Sequence, residues 1–252
     1  EGYKELLTEI EMVQPNLIVA FGNLAMWALT GNWGILKWRG SLLAADGVDS
    51  PKVIPTVHPA AVLREWNLRA VALNDLRRAK RHMTSRVYDN QPKWNFHIRP
   101  NIQVVLTWID DLRARAVLEA EPLWLDFDIE TRGGHIDCIG LSWSRTDALC
   151  IPFMTSANHE GYWSLEQEAE ICFRLYKLLT HPSVKVRAQN GLYDAQYVYR
   201  HWHFLPRFAQ DTMISQHSLF AALPKGLSFL ASMYADWYVY WKDEGKIASG
   251  AP

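Results

Sequence analysis

Three acids, Asp126, Asp128 and Glu130, stand at every second position of the stretch EPLWLDFDIETRGG, residues 121–134. Leu123, Leu125, Phe127 and Ile129 alternate with them. A period of two is that of a β-strand, so the acids share one face, successive ones roughly 6.6 Å apart along it. Carboxylates crowded on one face are costly unless something cationic neutralises them. Either the strand lies at a sheet edge and the acids face water, or they hold divalent cations, whose charge lets several carboxylates sit together.

A further acid favours the cations. In VRAQNGLYDAQYVYR, Asp194 falls on the first turn of a helix that follows a short strand, with Asn190 as its expected N-cap. A strand delivering one acidic pair and a helix start delivering another acid is the geometry of a two-metal phosphodiester site. Metals there stabilise both the attacking water and the departing oxygen.

The elements that must position these acids follow from the pattern. Residues 3–13 have helical spacing, LIVAFG at 17–22 reads as a short buried strand, and NLAMWALTG as a helix closed by Gly31. KVIPTVHP is another strand, ending at His58–Pro59, and residues 60–83 form a long amphipathic helix or a helix pair. Strand, helix, strand, helix implies α/β with parallel pairing over residues 1–83. The turn formers of residues 84–100 mark a linker. Residues 101–252 make a second unit, in which NIQVVLT at 101–107 is read as a strand and WIDDLRARAVLEA as a helix. The carboxylate strand comes next, then Gly133–Gly134 and two further strands in an antiparallel meander. Ser164 and Gln167 form a capping signature for the next helix. The fold class expected is therefore α/β in two units, the first a partial parallel one and the second with a mixed sheet.

The stretch FDIET followed by QNGLYD resembles the first two motifs of the DEDD 3′-5′ exonucleases, and most closely the proofreading domain of family A DNA polymerases, where they read D-x-E and N-x-x-[FY]-D. The meander after the first motif and DTMISQHSLF after the second follow that domain's order, over roughly residues 101–252. The resemblance implies a ribonuclease H-like exonuclease that uses two Mg2+ or Mn2+ ions on single-stranded DNA 3′ ends. It implies that Asp128 bridges both metals, Glu130 binds the nucleophile-side metal and Asp194 holds the second. Asn190 and Tyr193 would shape the pocket, and Asp211 would be structural. Asp126 has no role in the pattern and is read as a flanking exposed acid. The family's third motif, Y-x-x-x-D or H-x-x-x-x-D, has no match here. Tyr240 with Glu244 has the spacing but the wrong acid, and Tyr234 with Asp236 is too close. The C-terminal segment resembles the one preceding that motif in phage-type polymerases. The chain is thus expected to stop short of its last catalytic element, with a polymerase domain beyond residue 252. A catalytically incomplete DNA-binding module is the alternative.

The N-terminal stretches LIVAFGNLAMWALTG, KWRG and VIPTVHPAAVLRE resemble the C-terminal half of the uracil-DNA glycosylase superfamily. There the H-P dipeptide sits on a loop approaching DNA, which implies that His58 faces a flipped base, Pro59 fixes the loop, and Leu63 and Arg64 lie near DNA. The bland reading of His58 is a loop histidine that caps a helix. The superfamily's N-terminal half, with its water-activating acid, has no counterpart.

Composition sets wide bounds. The chain has 252 residues, 49% hydrophobic, with net charge −1, enough for one large domain or two small ones and neutral on the question of nucleic acid. Cys138, Cys150 and Cys172 are too few and too scattered for a disulfide framework or zinc set, so free thiols are expected. No apolar run reaches membrane-spanning length, and a cytoplasmic protein of a replication machinery is the expectation. Arg64, Arg69, Arg77, Arg78, Lys80, Arg81 and Arg86, set against Glu65 and Asp75, form a basic run, read either as a solvated helix face or as a phosphate-contacting one.

Overall fold

The computed structural model of the protein describes residues 2–46, 51–88, 92–155 and 160–243. The chain divides into two compact units, Glu1–Pro92 with Phe220–Pro252, and Lys93–Leu219. Among the described residues no helix is long and apolar enough to cross a membrane.

The first unit opens with α1 (Gly2–Val13), β1 (Leu17–Phe21), α2 (Gly22–Thr30), α3 (Ile35–Trp38), β2 (Leu43–Ala44), β3 (Lys52–Thr56), α4 (Pro59–Arg64) and α5 (Leu68–His82). β1 runs parallel to β3, Leu17 opposite Lys52 and Phe21 opposite Thr56, and β2 joins the other edge of β3 antiparallel. α2 ends at Gly31, whose φ of 65° lets its amide turn back to Trp27 O at 2.9 Å. Residues 60–83 fold as a helix pair, because the chain leaves α4 at Glu65 and restarts at Leu68.

In the second unit come β4 (Asn95–Ile98), α6 (Ile102–Leu118), β5 (Leu123–Arg132), β6 (His135–Ser142), β7 (Asp147–Pro152), α7 (Leu165–Leu179), β8 (Val184–Ala188), α8 (Gly191–Trp202), β9 (Phe208–Asp211) and α9 (Thr212–Leu219). They build one six-stranded sheet in the order β4-β7-β6-β5-β8-β9. β5, β6 and β7 are the antiparallel meander, while β8 lies parallel to β5, β9 parallel to β8, and β4 parallel to β7. Both halves of the capping box at Ser164 and Gln167 are formed. The unit is a mixed α/β fold with helices packed on a mixed sheet. Its core holds Leu125, Phe127 and Ile129 from β5 against Val105, Ile109 and Leu112 of α6 and Ile171, Leu175 and Leu178 of α7.

The start of the second unit differs from the sequence reading. Residues 101–107 are not a strand but the start of α6, because the Asn101 side chain accepts from Val104 N at 3.0 Å and caps the helix. Val105, Ile109, Leu112 and Ala116 then fall on one buried face. The strand before that helix is β4, within the stretch read as a linker.

The last described helix, α10 (Leu227–Tyr234), belongs to the first unit, where the sequence reading had grouped residues 220–252 with the second. Arg39 Nη1 donates to Ser232 Oγ at 2.7 Å, Arg78 Nη2 to Ala235 O at 2.6 Å, and Leu42 N to Tyr238 O at 2.8 Å. Arg39 also donates through Nε to Asp75 Oδ2 at 2.9 Å, and Thr56 Oγ1 donates to the same oxygen at 2.8 Å. All of these side chains are buried. Arg78, counted in the basic run, is therefore no part of a solvated face: only 1% exposed, it donates to Gly40 O at 2.7 Å, and burial lowers its pKa to about 10. Tyr240 is buried in this unit and edge-on to Trp38, with its hydroxyl 3.3 Å from Asp243. Its sequence partner Glu244 lies outside the described residues.

Candidate active site

β5 alternates as read: Leu123, Leu125, Phe127 and Ile129 are buried, and Asp128 and Glu130 are exposed on the opposite face. Asp126, the first of the row, is half-exposed and neutralised. Arg187, its register partner on β8, donates to both of its oxygens, through Nη2 at 2.9 Å and through Nε. The row of three is thus one ion pair followed by two acids on an open face. The register of β5 against β6 shifts between Glu130 and Thr131, a bulge placed beside Glu130.

Asp194 comes from the first turn of α8 and is 2% exposed. Its Oδ1 accepts from the amide of Ile129, between Asp128 and Glu130, at 2.9 Å. Burial, reinforced by the charges of Asp128 and Asp211, raises its pKa to about 6. Asp128 and Asp194 therefore feel each other's charge.

The start of α8 is built differently from the sequence reading. Asn190 stands at the N-cap, but in the left-handed region (φ 61°, ψ 44°) and with no side-chain cap bond. Asp211, at the end of β9, supplies the cap instead. Its Oδ2 accepts from Gly191 N at 2.8 Å, and its Oδ1 from Asn190 N at 3.2 Å and Met213 N at 2.8 Å, so one carboxylate closes the starts of α8 and α9. Gly191 is closely packed, since a Cβ there would lie 3.0 Å from Ala188 Cβ and 3.3 Å from the Phe208 ring. Tyr193, 42% exposed, shares a 2.5 Å hydrogen bond between its hydroxyl and Thr131 Oγ1, tying α8 to β5 one residue past Glu130.

Sequence reasoning missed Arg187, the Ile129 amide and the capping by Asp211. The first depends on strand register and the second on where α8 lies against β5, and no local pattern reveals either. The third carried a legible signal, an Asp directly before the helix start at Thr212. The cysteines are free, as expected. Cys138 lies opposite Glu130 on β6, and a hydrogen bond with the Cys150 thiol of β7, together with burial, raises the pKa of Cys138.

For a metal, the donors at hand are carboxylate oxygens, the chemistry that hard divalent cations prefer. A cation beside Asp128 and Asp194 would also relieve the repulsion that raises Asp194. Among the described residues, however, no group of three or more His, Cys, Asp or Glu side chains is arranged to hold a metal ion.

In the first unit His58 is exposed and is the N-cap of α4, its Nδ1 accepting from Ala60 N at 3.2 Å with Pro59 at N1. With Nδ1 an acceptor, the neutral ring carries its proton on Nε2. Gly22 (φ 86°) packs on this loop, and its Cβ position would lie 3.4 Å from His58 Cβ. Arg64 Nε donates to Ala60 O at 3.2 Å within α4, and Leu63 is 81% exposed.

Residues 1–79 match the family model of the uracil DNA glycosylase superfamily. The type-4 uracil-DNA glycosylase of Thermotoga maritima is 39% identical over 79 residues, 30% of this chain and 40% of that protein. The DNA polymerase of Bacillus phage SP01 is 33% identical over 76 residues, 30% of this chain but 8% of the polymerase. This chain thus covers less than half the length of either relative. Among solved structures, RNase D of Escherichia coli, an exoribonuclease involved in structured RNA processing, is similar at a TM-score of 0.39 and 16% identity, over 60% of this chain and 35% of that one. The EXO domain of Aedes aegypti Nibbler is similar at a TM-score of 0.44 and 12% identity, over 62% of this chain and 76% of that one.

Proposed function

We propose that the second unit is the metal-dependent 3′-5′ exonuclease (proofreading) part of a DNA replication polymerase, removing 3′-terminal nucleotides by two-metal-ion phosphodiester hydrolysis. The observation that carries this reading is the bond from Ile129 N to Asp194 Oδ1, which draws the α8 acid onto the backbone between Asp128 and Glu130. In this reading Asp128, Glu130 and Asp194 hold Mg2+ or Mn2+. Bound there, the ions would stabilise the charge that develops on the phosphate and its leaving oxygen. The Arg187 pair keeps Asp126 out of the ligand set, and Tyr193, steadied by Thr131, lines the place of the terminal nucleotide with Asn190. The likeness to a phage DNA polymerase supports replication as the setting, with a polymerase domain following residue 252 and the cytoplasm as the place of work. The glycosylase-like unit would bring His58, Pro59 and Arg64 to DNA, where an Nε2–H donor suits the carbonyl of a flipped pyrimidine.

One observation favours a second reading, a DNA-binding module without chemistry: the lack of a three-ligand group among the described residues. The experiment that decides is incubation of the chain with 5′-labelled single-stranded DNA in Mg2+ or Mn2+, beside an Asp128→Ala/Glu130→Ala double variant. Stepwise 3′ shortening that is lost in the variant is the expected result. Intact DNA with retained binding would leave the module.

A further inference from the structure

α8 carries rings on one side. Tyr193 and Tyr197 lie 5.0 Å apart between centroids, and Tyr197 and His201 lie 6.2 Å apart at an interplanar angle of 23°. His135, the first residue of β6, continues the row, its ring 5.2 Å from that of His201. The row starts at the residue beside the candidate acids and runs eight residues along the helix, about 12 Å at about 1.5 Å per residue. It is braced at both ends against the β5–β6 hairpin, by the Tyr193–Thr131 bond and by His201 Nε2 donating to Gly134 O at 3.1 Å.

Where the row ends there is a cavity of about 220 Å³. His135, His201, Glu168 and Met154 line it, with Phe153 and Trp202, whose rings lie 5.0 Å apart. Two imidazoles and a carboxylate offer hydrogen-bonding partners for a polar edge, and the two large rings offer an apolar wall. That combination suits a planar heterocycle, and the volume suits one base better than the larger ligands of typical pockets. Arg200, exposed and three residues from Tyr197, places a cation on the same side of the helix, where a phosphate strand would pass.

We infer that Tyr197, His201 and His135 form a stacking track for the unpaired bases of a single-stranded polynucleotide, leading from the candidate acids to a base-binding pocket at the hairpin. Ring faces bind any base, and a cation beside them binds the backbone, which is how single strands are held without sequence preference. The inference rests on the proposed nuclease for the direction of the strand, but not for its binding.

The test measures the affinity of the full chain for fluorescein-labelled oligodeoxythymidylate and oligouridylate by anisotropy, in EDTA so that nothing is cleaved. His135→Ala removes an exposed ring. His201→Gln keeps a donor for Gly134 O but removes the π face. Tyr197→Phe keeps the ring as a control. Each of the first two is expected to weaken binding on the order of tenfold, the effect of one stacked base, while Tyr197→Phe binds as the parent does and melting temperatures stay within a degree or two. The arm that shows the loss names the sugar. Unchanged affinity of His135→Ala and His201→Gln in both arms overturns the track, even if the parent shortens DNA in Mg2+. Weakened binding by His135→Ala and His201→Gln with Tyr197→Phe unchanged upholds it, even if no shortening occurs.

Discussion

Asp194 Oδ1 accepts the amide hydrogen of Ile129 at 2.9 Å, so a helix acid is bonded to the backbone between two strand acids. The bond does two things at once. It satisfies a backbone donor at the point where β5 approaches the bulge after Glu130, and it buries a carboxylate next to the charge of Asp128. A group so placed resists ionisation, and the resistance is a cost in stability that a bound cation would lift. In the proposed nuclease, this bond would hold the acids together in advance of their ligand.

That cost has a sign and a pH window. Asp194 titrates at about 6 in the folded chain against an ordinary carboxyl value of 3.8. Between those values the folded state binds the proton more tightly than the unfolded one, so stability falls as pH rises from about 4 to above 6, by about 3 kcal/mol in order of magnitude. Asp194→Asn keeps an oxygen acceptor for Ile129 N and removes the charge. In EDTA at pH 7.5 it is expected to melt higher than the parent, with the difference shrinking toward zero as the pH drops to 4. Thermal melts of both chains across that range decide it. A variant that melts lower at pH 7.5 would contradict the burial cost.

What the sequence made legible was what depends on local period and spacing. The apolar alternation of β5, the meander after Gly133–Gly134 and the capping box at Ser164 all lie within one element or one turn. The placement of Asp194 one turn into a helix after a strand was legible for the same reason. Long-range pairing was not. That Arg187 neutralises Asp126 depends on the register of β8 against β5, and that Arg78 is buried depends on α10, far along the chain. The misreading of residues 101–107 had a local cause, since β-branched residues in a short apolar run fit either period and only the Asn101 cap decides between them.

Asp211 caps two helices with one carboxylate. Asp211→Ala leaves the first amides of α8 and α9 without their acceptor, and a lost cap costs about 1 kcal/mol, so about 2 kcal/mol is expected for the pair. Asp211→Asn, which keeps one acceptor, should recover part of the loss. Urea unfolding followed by tryptophan fluorescence reads both, and an alanine variant as stable as the parent would remove Asp211 from the account of how Asp194 is positioned.

Gly191 tests how tightly the start of α8 is seated. A methyl group there meets Ala188 Cβ at 3.0 Å and the Phe208 ring at 3.3 Å, so α8 or its neighbours on β8 and β9 must give by a few tenths of an ångström. Gly191→Ala is expected to destabilise by about 1–3 kcal/mol despite the better helix propensity of alanine. It should also loosen the Asp194–Ile129 bond, so the Ile129 amide exchanges with deuterium faster than in the parent. Slow exchange at Ile129 in a destabilised variant would show that the two features are independent.

In the first unit Arg39 and Asp75 form a buried ion pair that a single change would break. Burial raises the pKa of Asp75 while Arg39 pulls it down, and both side chains are at most 3% exposed. Asp75→Ala leaves the Arg39 guanidinium buried, with its bond to Ser232 but without a counter-charge, and breaking such a pair costs about 3–5 kcal/mol. Arg39→Met together with Asp75→Ala removes both charges and is expected to cost less than Asp75→Ala alone. A double-mutant cycle on melting temperature measures this. A double variant as unstable as the sum of the single ones would mean that the two charges are not coupled.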